Sequence, residues 1–137
     1  MIDSFKDEYS FLSNFYRTSV MYKNMMFTSS EAAYQSQKTL NGINQLKFTK
    51  LNPFQAKKAG VNVLIRPDWE QIKDQVMEDC VRDKFTRNLD LRQLLLETGD
   101  EELVEGNDWG DTYWGVCNGK GKNMLGKILM KVREEFR

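Results

Sequence analysis

Histidine is missing altogether from this chain of 137 residues. That absence excludes Ser-His-Asp and Cys-His nucleophilic machinery, HExxH zinc sites and any histidine-ligated metal. Cysteine is nearly as scarce. Cys80 and Cys117 form no CxxC pair, and Cys80 falls in an amphipathic helical stretch where it reads as a small buried hydrophobe. Neither charge is in excess, with 20 Lys plus Arg against 20 Asp plus Glu. A general DNA-coating protein, which gains affinity by releasing counterions at many phosphate contacts, does not fit that balance; a local basic pocket for a small anion does. No apolar run approaches the roughly 18 residues of a membrane span. The opening MIDSFKDEYSFLSNF has no basic n-region or apolar h-region. The expectation is a cytoplasmic protein with no signal peptide, no membrane contact, no metal and no cofactor.

What is present is an ordinary globular composition, 40% hydrophobic and 29% charged, in a length that suits one domain over 1–137. There is no repeat, linker or low-complexity tract. Residues 21–28 read as extended, with a turn at Lys23-Asn24. A helix is expected from Thr28, with Thr28 and Glu31 as a capping box and Phe27 as a hydrophobic staple. It runs through SSEAAYQSQKTL and ends at Asn41-Gly42. Asn52-Pro53 opens a short helix that Gly60 closes, and 62–65 is a brief strand or turn. Pro67-Asp68 opens a longer helix in which Trp69, Ile72, Val76, Cys80 and Phe85 recur at helical spacing. Leu89 to Glu97 is another helix, with Gly99 as its C-cap residue. Residues 101–105 and 112–116 are strand candidates. Leu125, Ile128, Leu129, Val132 and Phe136 form the apolar stripe of a last helix. The sum is a predominantly helical α+β domain of about five helices and a few short strands.

Without histidine, proton transfer falls to carboxylates, lysine, tyrosine or water. Glu31 and Lys38 stand two helical turns apart on one face, with Gln35 between them, while Ala32, Ala33 and Leu40 remain to pack. A carboxylate and an amine so placed can bracket a sugar; equally, Glu31 can be the arm of its capping box and Lys38 a solvated lysine. Ser13-Asn14 either makes a simple turn or offers the Asn14 amide to a ribose or base edge. The stretch Asn107 to Gly115 (NDWGDTYWG) is too aromatic for a solvated loop and too polar for a core strand. It reads as a base-stacking wall with Asp111 and Trp114, or as a hairpin whose aspartates cap turns. Asn118 to Gly126, including Asn123, either cradles a phosphate at the start of the last helix or is a charged turn.

Taken in order, LSNF at 12–15, SSEAAYQSQK at 29–38, NPFQAKKAG at 52–60, RPDW at 66–69, Met77, KF at 84–85, LLLETGDEELVE at 94–105, DTYWG at 111–115 and GKNMLGKILMKVR at 121–133 resemble the NADAR (YbiA-like) family over nearly the whole chain. The resemblance implies a compact, largely helical α+β fold without metal. It also implies an N-glycosidase that cleaves the ribosyl C1–N bond, either of ADP-ribosylated guanine, free or in nucleic acid, or of a phosphoribosylamino-pyrimidine intermediate of riboflavin synthesis. It implies a reactive-amine role for Lys38, a catalytic or sugar-binding role for Glu31, a polar ligand role for Asn14 and pocket roles for Trp69, Asp111 and Trp114. Joined to the residue readings above, the candidate set is catalytic Lys38, Glu31 and Asp111 and substrate-binding Asn14, Gln35, Trp69, Trp114 and Asn123. Two routes fit these residues. In one, the sugar opens to an imine and Lys38 exchanges with the leaving amine, which requires its pKa to fall through burial or a neighbouring cation. In the other, a carboxylate stabilises an oxocarbenium-like state. The competing classes are a non-catalytic binder of ADP-ribose or NAD and an interaction domain that would turn Glu31 and Lys38 outward.

Overall fold

Lys23 and Asn24 both have positive φ, 48° and 64°, the paired left-handed geometry of a two-residue hairpin turn. They join β1 (Val20–Tyr22) to β2 (Met25–Phe27), with Val20 opposite Phe27 and Tyr22 opposite Met25. The computed structural model describes every residue from Met1 to Arg137. It contains six α-helices, four short strands and two 3₁₀ segments, an α+β arrangement in which helices predominate. The chain divides into two compact units. One is Asn14–Asn88; the other is Met1–Ser13 with Leu89–Arg137. No helix is long and apolar enough to cross a membrane.

In the Asn14–Asn88 unit, α1 (Ser30–Ser36) begins one residue later than the capping-box reading puts it. Ser29 is the N-cap, its hydroxyl accepting from the Ala32 N–H at 3.1 Å, whereas Thr28 donates its hydroxyl to the Leu51 carbonyl at 2.8 Å. Glu31 is thereby released from capping. The helix also stops early. Asn41-Gly42, expected to end it, instead opens α2 (Gly42–Lys47), with Asn41 Oδ1 accepting the Asn44 N–H at 2.9 Å. Leu40, expected to pack with Ala32 and Ala33, lies beyond the helix and is 64% exposed.

α3 (Pro53–Val61) has the complete reciprocal cap: Asn52 Oδ1 accepts the Gln55 N–H at 2.8 Å and Gln55 Oε1 accepts the Asn52 N–H at 2.9 Å. Gly60 does not close this helix. It lacks positive φ, and the chain stays helical through Val61 and right-handed at Asn62. Residues 62–65 are irregular rather than a strand. α4 (Trp69–Arg87) buries Trp69, Val76, Met77, Cys80, Val81 and Phe85, with Ile72 half-buried. Glu78–Arg82 and Asp83–Arg87 ion pairs run along the helix one turn apart. α1 packs against α3 and α4, and β1 against α4. The Met21 N–H donates to Asp83 Oδ2 at 2.7 Å, which ties the hairpin to α4.

In the other unit, α5 (Leu89–Glu97) has the expected bounds. Gly99 follows at φ 63°, its N–H donating to the Leu96 carbonyl at 3.0 Å, as a C-cap glycine should. The two strand candidates shrink. Residues 101–105 supply one bridge, Leu103 beside Ile2, and a two-residue parallel pair forms between β3 (Gly106–Asn107) and β4 (Val116–Cys117). Residues 112–115 cannot continue a ladder because Asp111 Oδ1 accepts the N–H groups of Tyr113 and Trp114 at 3.0 and 2.9 Å. α6 (Met124–Glu135) buries Leu125, Ile128, Leu129 and Val132 as its stripe predicts, while Phe136 falls on the cap and is half-buried.

Candidate active site

The start of α1 gathers polar groups that a core would normally exclude. Asn14 is buried and takes three partners there. Its carbonyl accepts the Glu31 N–H at 3.1 Å, its Oδ1 accepts the Ser30 hydroxyl at 2.8 Å, and its Nδ2 lies 3.3 Å from the Met77 sulfur. Asn14 therefore stitches the LSNF segment to the first turn of α1, immediately beside Glu31. One turn on, Gln35 Nε2 donates to Glu31 Oε2 at 2.6 Å, with both side chains buried. The Gln35 amide oxygen has no hydrogen-bond partner. The spacing that put Glu31 and Gln35 on one face thus becomes a buried carboxylate–amide pair.

Lys38 follows just past the end of α1, half-buried. Its N–H donates to the Gln35 carbonyl at 3.2 Å and its carbonyl accepts the Arg66 N–H at 2.7 Å, so its backbone is held on both sides. Burial lowers the pKa of its ammonium; Glu31 opposes that, and the charges of Lys57 and Lys73 add to the lowering. Partial burial and neighbouring cations both favour the neutral, nucleophilic form of a lysine amine. Glu31 and Lys38 do not face outward as an interaction domain would have them. The fold holds Asn14, Glu31, Gln35 and Lys38 together on and around α1.

Trp69 belongs to the same unit, but its ring is buried against Tyr34, centroids 5.1 Å apart. It backs the Tyr34 ring, whose centroid lies 5.9 Å from Lys38 Nζ, rather than offering an open face to a base. The aromatic pair nearer the surface is one the sequence reading passed over: Phe15 meets Phe54 edge-to-face at 4.8 Å, with Lys57 Nζ 5.8 Å from the Phe15 centroid.

Lys84 was also missed as a residue of interest, though KF at 84–85 belongs to the resemblance. It is 1% exposed, its Nζ 5.7 Å from the Tyr16 ring centroid and 5.1 Å from that of Phe85. Burial alone pulls its pKa down to about 7. The signal was available: Lys84 stands four residues after Cys80 and three after Val81, on the buried face of α4.

Asp111, Trp114 and Asn123 lie in the other unit. Asp111 Oδ1 caps the turn described above, and Trp114 is half-buried, edge-to-face with Tyr113 at 4.9 Å. Asn107 closes the same loop, accepting the Asp111 N–H at 3.0 Å and donating to the Asp111 carbonyl at 2.8 Å. Asn123 is buried, with its Nδ2 donating to the Leu103 carbonyl and its Oδ1 accepting the Glu105 N–H, both at 2.9 Å. The phosphate-cradle reading of 118–126 fails on donors. The N–H groups of Lys122, Asn123, Met124 and Leu125 donate to the carbonyls of Thr112, Gly115, Tyr113 and Trp114 respectively, so the start of α6 has no free fan of amides for an anion. No three Cys, Asp or Glu side chains converge as they would to hold a metal ion.

Comparison with known proteins covers almost the entire chain. The NADAR domain family matches residues 2–137. The chain is 38% identical to the N-glycosidase YbiA of Shigella boydii over 137 residues, covering 97% of this chain and 85% of that protein. It is 39% identical to the riboflavin biosynthesis protein VVA0006 of Vibrio vulnificus over 134 residues, covering 95% of this chain but 36% of that one. The NMR structure of E. coli YbiA superposes with a TM-score of 0.88 at 35% identity, covering 99% of this chain and 84% of the other.

Proposed function

Because the chain belongs to the NADAR family, we propose that it is an N-glycosidase that hydrolyses a ribosyl C1–N bond to an exocyclic amine, with Lys38 as nucleophile and Glu31 as proton-transfer group. The enzyme class is that of its full-length curated relatives. The observation that carries the residue assignment is the α1 cluster: a half-buried lysine with a lowered pKa, beside a buried carboxylate held by an amide.

The chemistry follows from these groups. Protonation of the ring oxygen opens the ribose, and the nitrogen lone pair forms a C1=N iminium. The neutral Lys38 amine adds to C1, and a proton moves from Lys38 to the departing nitrogen, with Glu31 as carrier. The leaving amine departs and a lysine imine remains at C1. Water adds to C1, the lysine amine leaves, and the free sugar closes again. The net change is R–NH–ribose plus water giving R–NH₂ plus ribose. The substrate class we favour is nucleotide-like: ADP-ribose on guanine, or a phosphoribosylamino-pyrimidine. The second is supported by the name of the Vibrio relative. Asn14, Gln35 and Trp69 organise the cluster from one unit, and Asp111, Trp114 and Asn123 shape the aromatic loop of the other. The family match across both units supports treating 1–137 as one functional domain.

The test is incubation with a guanine-ADP-ribosylated single-stranded oligonucleotide, and separately with the phosphoribosylamino-pyrimidine, read by mass spectrometry with and without cyanoborohydride. The expected result is release of the sugar and, under reduction, a stable sugar adduct on Lys38. Lys38→Arg, which retains the charge without the nucleophile, is expected to lose turnover about as fully as Lys38→Ala. Undiminished turnover by Lys38→Arg overturns the imine route and leaves the oxocarbenium route, with Glu31 as the stabilising carboxylate. Binding of ADP-ribose without cleavage of either substrate makes the chain a binder.

A further inference from the structure

The Glu31 carboxylate is buried, and a glutamate has three rotatable bonds, so something must hold it in a single direction. Gln35 holds one of its two oxygens from one turn away, through the 2.6 Å bond from Nε2 to Oε2. Yet Gln35 is itself a long side chain, and its amide oxygen makes no hydrogen bond. Hydrogen bonding fixes one end of that amide; the other end is fixed by shape. The Gln35 amide lies against α3 at Gly60, where a Cβ would come within 1.9 Å of Oε1 and 2.8 Å of Cδ. Nothing in the backbone calls for glycine at that point, since Gly60 lies within α3 and has no positive φ. Alanine is the better helix former. The missing methyl is accounted for by the Gln35 amide alone, since the three nearest atoms to that Cβ all belong to Gln35.

We infer that Gly60 is a positioning residue for the reaction: by leaving room on α3 for the Gln35 amide, it holds that amide on the Glu31 carboxylate. The inference rests on Glu31 being the proton-transfer group. A methyl at 60 pushes the amide off its seat and detaches it from Glu31. Losing the donor removes a hydrogen bond to the charged carboxylate, so Glu31 titrates at higher pH. Misplacing a reacting group by about 1 Å costs roughly a hundredfold in rate.

The experiment compares the full chain with Gly60→Ala, Gln35→Ala, the double variant and Glu31→Gln. Carbon-13 NMR follows the Glu31 carboxyl titration, and steady-state kinetics use the guanine-ADP-ribosylated oligonucleotide. Gly60→Ala is expected to raise the Glu31 titration midpoint as Gln35→Ala does, and to lower kcat roughly a hundredfold with a smaller change in KM. The double variant is expected to match Gln35→Ala, because alanine at 35 vacates the space that the new methyl needs. An unmoved Glu31 titration in Gly60→Ala overturns the inference, as do losses that multiply in the double variant. If Gly60→Ala does not fold, Gln35→Ala must restore folding; failure to do so overturns it equally. Full turnover by Glu31→Gln removes the underlying reading of Glu31, whereas an inactive Glu31→Gln beside a fully active Gly60→Ala sinks the inference alone.

Discussion

Lys84→Met replaces a buried amine with an uncharged side chain of similar length. In the folded chain the amine titrates at about 7 because burial disfavours its charge, against 10.5 for an unhindered lysine. Between those two values the unfolded chain holds a proton that the folded chain lacks, so stability rises with pH across that window. Below about pH 7 both states are charged and the full burial penalty applies. Above about pH 10.5 both are neutral and the penalty is gone. At about 1.4 kcal/mol per pH unit, the gap from 10.5 to about 7 sets a ceiling of about 5 kcal/mol on the effect. Urea unfolding of parent and variant from pH 6 to 10.5 measures it. Relative to the variant, the parent is expected to gain stability as pH rises from 7 to 10.5, by an amount up to that ceiling. Other titrating groups are common to both proteins and cancel in the comparison. A difference that stays constant between pH 7 and 10 would show that Lys84 is charged throughout, and would refute the reasoning.

Two further substitutions test the local architecture. Asp111→Ala removes the acceptor of two backbone N–H groups and is expected to cost about 1–3 kcal/mol in thermal or urea unfolding, while Asp111→Asn, which keeps an oxygen at that position, costs clearly less. Equal losses would mean that the charge matters rather than the cap. Asn52→Ala breaks the reciprocal cap of α3 and is expected to cost about 1 kcal/mol. Because that cap is far along the helix from Gly60, it should leave kcat unchanged, and a fall in kcat would show that α3 fraying reaches the site.

Much of this fold was legible because local chemistry and tertiary packing agree. Lys23-Asn24 tolerates left-handed backbone, Asn52-Pro53 with Gln55 carries its own cap, and the stripe from Leu125 to Val132 has one way to be buried. Expectations failed where a residue had two competing local uses. Thr28 and Ser29 can each cap α1, and the Leu51 carbonyl, remote in sequence, decides by taking the Thr28 hydroxyl. Asn41 suits the end of one helix as well as the start of another, and α2 takes it. Residues 112–116 have strand composition, but Asp111 removes two of their donors. The candidate site divides in the same way. The face shared by Glu31 and Gln35 follows from helical spacing, and the resemblance singles out Lys38. The cations beside Lys38 and the contact at Gly60 depend on α3 and α4 packing against α1, which no local pattern encodes, whereas the burial of Lys84 follows its spacing to Cys80 and Val81.

The four amides of Lys122 to Leu125, seated on the carbonyls of Thr112 to Gly115, make the aromatic loop and the first turn of α6 a single fastening. Neither strand of it can slip by one residue without unseating every bond at once. Such a segment has no slack for an inserted residue, and partial fraying gains it little freedom. Its amide hydrogens should therefore exchange with solvent in one concerted opening, at a common rate, so that the loop carrying Trp114 is either shut or wholly undone.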